Sequence, residues 1–203
     1  MAFIDKKNLL TSIDSEQAVY LELWCGNSKQ VQHAIGVDML DYDCVDIVGD
    51  VLEVLESFPD ASVSAIYSYH FIEHIPNLGK LMDEIARVLK KGGTIHFVVP
   101  HFSNPYFYSD YTHKLFFGLY TFCYFCTGGM FKRAVPLYQR EPQFELTKVD
   151  LVFKSAPPFY LRYALKVLIG KIVNITTYTK ELYEESFCYL FPCYEISYHL
   201  RKI

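Results

Sequence analysis

Three acidic residues, Glu22, Asp38 and Asp50, each stand in or at the end of a short apolar run: VYLELWCGN from Val19, IGVDM from Ile35, and VGDV up to Val51. An α/β protein displays its ligand-binding groups in this way, at the carboxyl ends of adjacent parallel strands. Together the three tips suit a nucleoside. Gly26 lacks a Cβ, so backbone there can come close to a ligand. Asp38 ends its run where an acid can accept from both hydroxyls of a ribose. Asp50 follows Gly49 and reads equally as a helix cap.

A second set of reactive side chains lies further on. His70-Phe-Ile-Glu73-His74 matches H-x-x-E-H, which on a helix would place two histidines on one face to hold zinc, with Glu73 as base. Pro76 interrupts such a helix, so a packing or hydrogen-bonded role for His74 is the simpler reading. His101, Asp110 and His113 lie just past a strand, where a general base for an acceptor hydroxyl or amine would sit. The same SDYTH stretch consists of cap-forming types. Cys123 and Cys126, with Cys188 and Cys193, have metal-ligand potential, but their aromatic flanks favour buried thiols. No metal is expected.

The elements that must position these groups follow from hydrophobic periodicity. Residues 19–23, 34–38, 45–48, 62–68 and 94–99 read as strands. Residues 77–90 form an amphipathic helix that Gly92-Gly93 should stop. Strands alternating with helices argue for a parallel sheet. Past Pro100 the chain turns aromatic. Residues 143–154 alternate like a half-exposed strand, 160–174 look helical with core packing as the best reading, and 194–200 could close the sheet.

The composition narrows the class. Of 203 residues, 51% are hydrophobic, with 17 tyrosines and 16 phenylalanines, which excludes disorder. A net charge of −4 without a basic run gives no electrostatic drive toward nucleic acid. The N-terminus is too polar for a secretory signal, and no apolar stretch is long enough to span a bilayer. Six irregularly spaced cysteines then read as reduced thiols in the cytoplasm. The expectation is one domain over residues 1–203, with a ligand-binding core at 19–100 and an aromatic-rich acceptor-side part at 101–203. That second part could form a lid or a homodimer surface.

The ordered series LELWCGN, IGVD, GDV, FPDASVSAIYSYHFIEHI and LMDEIARVLKKGGTIHFVVP resembles the class I S-adenosylmethionine-dependent methyltransferases. It is most similar to the large group with an LDLGCG-type first motif and an EHI-type fourth-strand tip. The segment HFSNPYFYSDYTHKLFF is similar to one in a bacterial branch of that group. The resemblance implies a Rossmann-like, mostly parallel seven-stranded sheet with helices on both faces and an antiparallel last strand. It implies S-adenosyl-L-methionine as cofactor and a small-molecule or glycan-like methyl acceptor. By the same resemblance Glu22 matches the acid that positions the cofactor's methionine amino end, and Asp50, with Val51 beside it, the acid that accepts from adenine. Trp24, Cys25, Asn27 and Met39 fall in the two turns, and Ser68, Tyr69 and His70 near the sulfonium. His101, Asp110 and His113 are the catalytic candidates.

The first motif departs from its family. Trp24 and Ser28 replace glycines, and 16 positions separate Glu22 from Asp38, against roughly 20 in the usual dinucleotide unit. Nine residues between Gly26 and Gly36 cannot hold a full crossover helix, so a short or irregular first helix is predicted. A chain that keeps the fold and only binds is the alternative function; a zinc hydrolase through HFIEH is a further one.

Overall fold

A computed structural model describes residues 3–13, 17–138 and 141–203. Among these residues nine strands form one mixed sheet: β1 (Ile4–Asp5), β2 (Tyr20–Leu23), β3 (Ile35–Asp38), β4 (Ile47–Val48), β5 (Val63–Tyr69), β6 (Leu89–Pro100), β7 (Cys126–Thr127), β8 (Phe144–Val152) and β9 (Glu195–Lys202). Their order across the sheet is β1-β4-β3-β2-β5-β6-β9-β8-β7. Strands β4, β3, β2, β5 and β6 run parallel, while β9 is antiparallel to both β6 and β8. The count exceeds the expected seven because β1 and β7, two residues each, add one short strand to either border.

Helices α1 (Val51–Glu56) and α2 (Leu78–Val88) pack against each other; α3 (Tyr160–Val173) and α4 (Thr177–Ser186) form a second pair. Apolar spacing explains α2: Leu81, Met82, Ile85, Ala86 and Val88 are all buried. Asn77 caps it by accepting from the Lys80 N–H, and Arg87 bonds the Leu55 and Phe58 carbonyls to fasten it to the end of α1. Gly92-Gly93 does not stop the helix. Leu89 is already extended and pairs with Val63, and residues 90–93 form an irregularity before pairing resumes at Ala65 and Thr94.

Helix α3 corrects another expectation. Only Val173 of it is buried, so most of its apolar bulk faces outward rather than into the core. The sheet is also covered unevenly. A row running through Glu22, Tyr67, His96, His199 and Lys148 crosses five strands in register, and past Glu22 its members are half-buried or exposed. The His96 and His199 rings stack at 4.2 Å within it.

The crossover from β2 to β3 contains no helix at all, only turns and bends over residues 24–34. Backbone N–H groups that a helix would satisfy internally need other acceptors. Carboxylates supply them. Glu22 accepts from the Gln30 and Val31 N–H at 2.9 and 2.7 Å. Asp38 accepts from Gly26 at 2.9 Å, and Asp46 from Gly36 at 2.9 Å. Lys29 closes the loop, donating to Asp46 and to the Ala34 carbonyl. Gly36 allows the close approach, since a Cβ there would stand 2.7 Å from the Cys25 sulfur.

Among the described residues, no helix is long and apolar enough to cross a membrane.

Candidate functional site

The tips of β2, β3 and β5 meet at the carboxyl border of the sheet. Two non-glycine residues there have left-handed backbone, Trp24 (φ +57) after β2 and His70 (φ +54) after β5. Bulky residues are uncommon in that region, and such conformations gather at functional sites. Gly26 shares the conformation at φ +59, and nothing lies within 4 Å of where its Cβ would stand. The turn thus presents an open face. Trp24, Met39 and Leu40 border it with exposed apolar side chains. The Trp24 ring leans away from Gly26 onto Phe71 and His74, with centroids 4.8 and 5.3 Å away.

The acids at these tips are tied to the backbone. Glu22 is 2% exposed and Asp38 fully buried, each oxygen of both accepting one backbone N–H. Asp50 is half-buried and caps α1 through Oδ1, which accepts from Leu52 and Glu53. Val51 is buried and Asn27 exposed. Cys25 is buried, and burial, then the neighbouring Cys44 thiol and the Asp38 and Glu22 charges, push its thiol up to about 12. Ser68 is buried with an Oγ that has no hydrogen-bond partner among the described residues. Tyr69 is half-buried, its phenol raised by burial and then by the Glu22 charge.

Beyond β5 and β6 opens a cavity of about 260 Å³ lined by His70, Glu73, His74, Asn104, Tyr106 and His113, among others. A larger one, about 630 Å³, lies beside α4 between Lys132, Arg133 and Glu181, away from the strand tips. The HFIEH segment forms a single 3-10 turn at Ile72–His74 instead of a helix, so His70 and His74 do not present the two-histidine face that a helix would give. His70 turns outward and bonds Glu195 at 3.1 Å. Burial lowers its pKa, but the Glu195 and Glu73 carboxylates outweigh this and hold it at about 9. His74 remains under Trp24 as the packing reading expected, and also bonds Thr112 at 2.8 Å.

The three catalytic candidates separate. Asp110 and His113 line the cavity, 3.7 Å apart. His101 is fully buried between Ser103 and Glu184, outside that lining. The sequence reading had Glu73 only as the base of a zinc helix and missed its meeting with His113; its two carboxylate oxygens are buried without any hydrogen-bond partner among the described residues. Its only signal was its place between two histidines. The backbone carbonyl of Glu73 accepts from the Lys114 and Leu115 N–H, which brings His113 beside it. The four late cysteines form no metal-ligating group among the described residues.

Residues 8–97 match a family model described as a methyltransferase domain. Among solved structures, a SAM-dependent methyltransferase from Archaeoglobus fulgidus is similar at 17% identity and TM-score 0.56, over 97% of this chain and 90% of that one. Phosphoethanolamine N-methyltransferase 2 of Haemonchus contortus, in complex with S-adenosyl-L-methionine, is similar at 13% identity and TM-score 0.53, over 97% of this chain and 52% of that one. The [4+2]-cyclase SpnF is similar at 14% identity and TM-score 0.53, over 96% of this chain and 78% of that one. At these identities the likeness is one of fold. No curated protein matches the chain.

Proposed function

Since the chain belongs to the class I S-adenosylmethionine-dependent methyltransferases in fold and matched domain, we propose that it methylates a small, glycan-like acceptor held in the cavity beyond β5 and β6. One observation carries this reading: Trp24, two residues before the open turn at Gly26, places its ring 5.3 Å from that of the cavity residue His74.

The turn fits the cofactor in two respects. The space over Gly26 is open, and the buried Ser68 Oγ at the β5 tip lacks a partner among the described residues. When bound, S-adenosylmethionine supplies an electrophilic methyl on sulfur. We assign Met39, Leu40 and Val51 to the adenine faces and Asp50 Oδ2 to its amino group, because both cap bonds fall on Oδ1. Asp38 is assigned to the ribose. Each of its oxygens keeps a lone pair beyond its one backbone bond, but the residue is fully buried. The Gly26–Asn27 turn therefore lifts on binding. Glu22, Trp24, Cys25, Tyr69 and His70 complete the rim.

On the acceptor side the chain positions and deprotonates. Tyr106 and Tyr194 give flat apolar walls, while Asn104 and Asp110 give polar ones, a mixture that suits a sugar ring. A cavity of about 260 Å³ holds one such ring. His113 Nε2, beside Asp110, would take the proton of an acceptor hydroxyl held in this cavity as that oxygen is methylated. Alignment of the two reactants contributes most of the rate. A cytoplasmic setting belongs to the same reading, supported by six free cysteines.

A second reading has its own observation. The buried, backbone-bonded Glu22 and Asp38 also suit a protein that keeps the fold and binds without transferring. Titration calorimetry with S-adenosylhomocysteine separates the two. Transfer predicts binding that Gly26→Ala weakens at least tenfold, since the added methyl both fills the open space over the turn and strains its left-handed backbone. No heat at millimolar ligand sinks the transferase.

A further inference from the structure

We propose that Glu73, His74 and His113 form a site for one divalent transition-metal ion, with zinc the best fit. Their ligand atoms lie within 4.8 Å of one another, and Glu73 Oε1 stands 4.0 Å from the Nε2 of each histidine.

The hydrogen bonds behind the histidines set which nitrogen carries the proton. Thr112 Oγ1 donates to Asp110 Oδ1, so it accepts from His74 Nδ1 at 2.8 Å. The Phe107 carbonyl can only accept, and does so from His113 Nδ1 at 2.9 Å. With Nδ1 the donor in both rings, Nε2 is the nitrogen left to ligate, and in each it stands 4.0 Å from Glu73 Oε1. Imidazoles that ligate metals are oriented from behind in this way. The carboxylate they face is fully buried, and neither of its oxygens has a hydrogen-bond partner among the described residues. A buried carboxylate left so is costly. Three acceptors thus converge, the nearest cationic donor among the described residues being His70 at 3.6 Å from Glu73, and a metal ion would satisfy all three at once.

Two histidines and a glutamate form a known catalytic-type ligand set, leaving one position open. All three residues line the cavity, from which a fourth ligand would come. Tetrahedral ligands at about 2.1 Å from zinc stand about 3.4 Å apart, so the set closes by about an ångström on binding. His70 Nδ1, 3.6 Å from Glu73, is the nearest competing partner. Its own anchor is Glu195, which also pairs with Lys154. With the ion bound, His113 is committed to it, and Asp110 Oδ2 becomes the proton acceptor for any hydroxyl the ion polarises. The site stands on these residues whether or not methyl transfer is the reaction.

The test uses the full chain, stripped with a chelator and titrated with Zn²⁺ by calorimetry and with Co²⁺ by visible absorption. One equivalent should bind at micromolar or tighter affinity, with a Co²⁺ spectrum of low, tetrahedral-type coordination. Glu73→Gln and His113→Gln should each weaken binding by roughly tenfold or more. His199→Gln, in the stacked pair on the sheet face, should leave it unchanged. Metal-free Glu73→Gln should melt close to the parent, because the buried carboxylate it removes has no hydrogen-bond partner among the described residues and only the His70 charge at 3.6 Å to lose; this separates lost binding from lost folding. Should that variant fail to fold, His113→Gln and the Co²⁺ spectrum decide. No binding below millimolar, unchanged binding in both ligand variants, or loss with His199→Gln overturns the proposal.

Discussion

Glu22→Gln tests whether the acid of the first motif is spent on the chain's own backbone. In the parent, one carboxylate receives the Gln30 and Val31 N–H at 2.9 and 2.7 Å, on a residue 2% exposed. Glutamine keeps one acceptor oxygen and turns an NH₂ toward the other N–H. One charge-assisted hydrogen bond is lost, roughly 1.5–3 kcal/mol, and one partly buried donor is stranded, roughly 1–3 kcal/mol. Burying a neutral amide costs less than burying a carboxylate, which offsets part of the sum. The expected net loss is about 2–3 kcal/mol. With a urea slope near 2–3 kcal/mol per M, the unfolding midpoint falls by about 1 M. The loss is local, so hydrogen exchange at the Gln30 and Val31 amides should speed up before that of the central strands. A midpoint within about 0.2 M of the parent, with S-adenosylhomocysteine affinity alone reduced, would refute the argument. Glu22 would then be a cofactor ligand and not a fastener of the helix-free crossover.

Other outcomes follow from the same structure. Trp24 is the chain's one tryptophan and borders the open turn, so S-adenosylhomocysteine should change its emission, and a ligand that binds silently speaks against the assigned turn. Burial, helped by the neighbouring His199, holds His96 at about 4 against its ordinary 6.5. The folded state thus takes up fewer protons than the unfolded one between those values, and stability should fall by about 2 kcal/mol as pH drops from about 6.5 to about 4. His96→Gln should remove that slope in urea melts; an unchanged slope assigns it elsewhere. Leu161, Leu165, Leu168 and Ile172 are each at least half exposed and share one stripe of α3. Size-exclusion chromatography with light scattering should show a dimer that Leu165→Glu returns to monomer, and a monomeric parent at 100 μM would end that reading.

The strand tips were legible because apolar runs closed by Glu22, Asp38 and Asp50 mark a parallel sheet. The antiparallel β9 followed from the family resemblance. That no full crossover helix fits could be counted from the residues between Gly26 and Gly36. The short or irregular helix expected there does not form, because Glu22, Asp38 and Asp46 take the backbone amides instead. Other features could not be read from local pattern. Gly92-Gly93 looks like a helix stop, yet Leu89 leaves the helix earlier because Val63 offers it a strand partner. Helix α3 has core composition, but among the described residues no element covers its stripe. The convergence of Glu73 with His113 depends on the Glu73 carbonyl catching the Lys114 and Leu115 amides, a tertiary contact that no spacing rule reports. The individual residues were visible, whereas their meeting was not.

The two-residue border strands bear on how the protein behaves when crowded. A sheet edge is a row of unpaired amides and carbonyls on which another chain can add a strand. Here β1 and β7 are the outermost strands, and each pairs inward over two residues. Past the two residues that β7 covers, β8 itself is the border, and there Asn174 bonds both the N–H and the carbonyl of Leu151 while Lys180 bonds the Val149 carbonyl. The long apolar strands β5 and β6 stay in the interior of the sheet, paired on both sides. The borders thus act as end-stops against fibre-like growth, and self-association is left to side-chain surfaces such as α3.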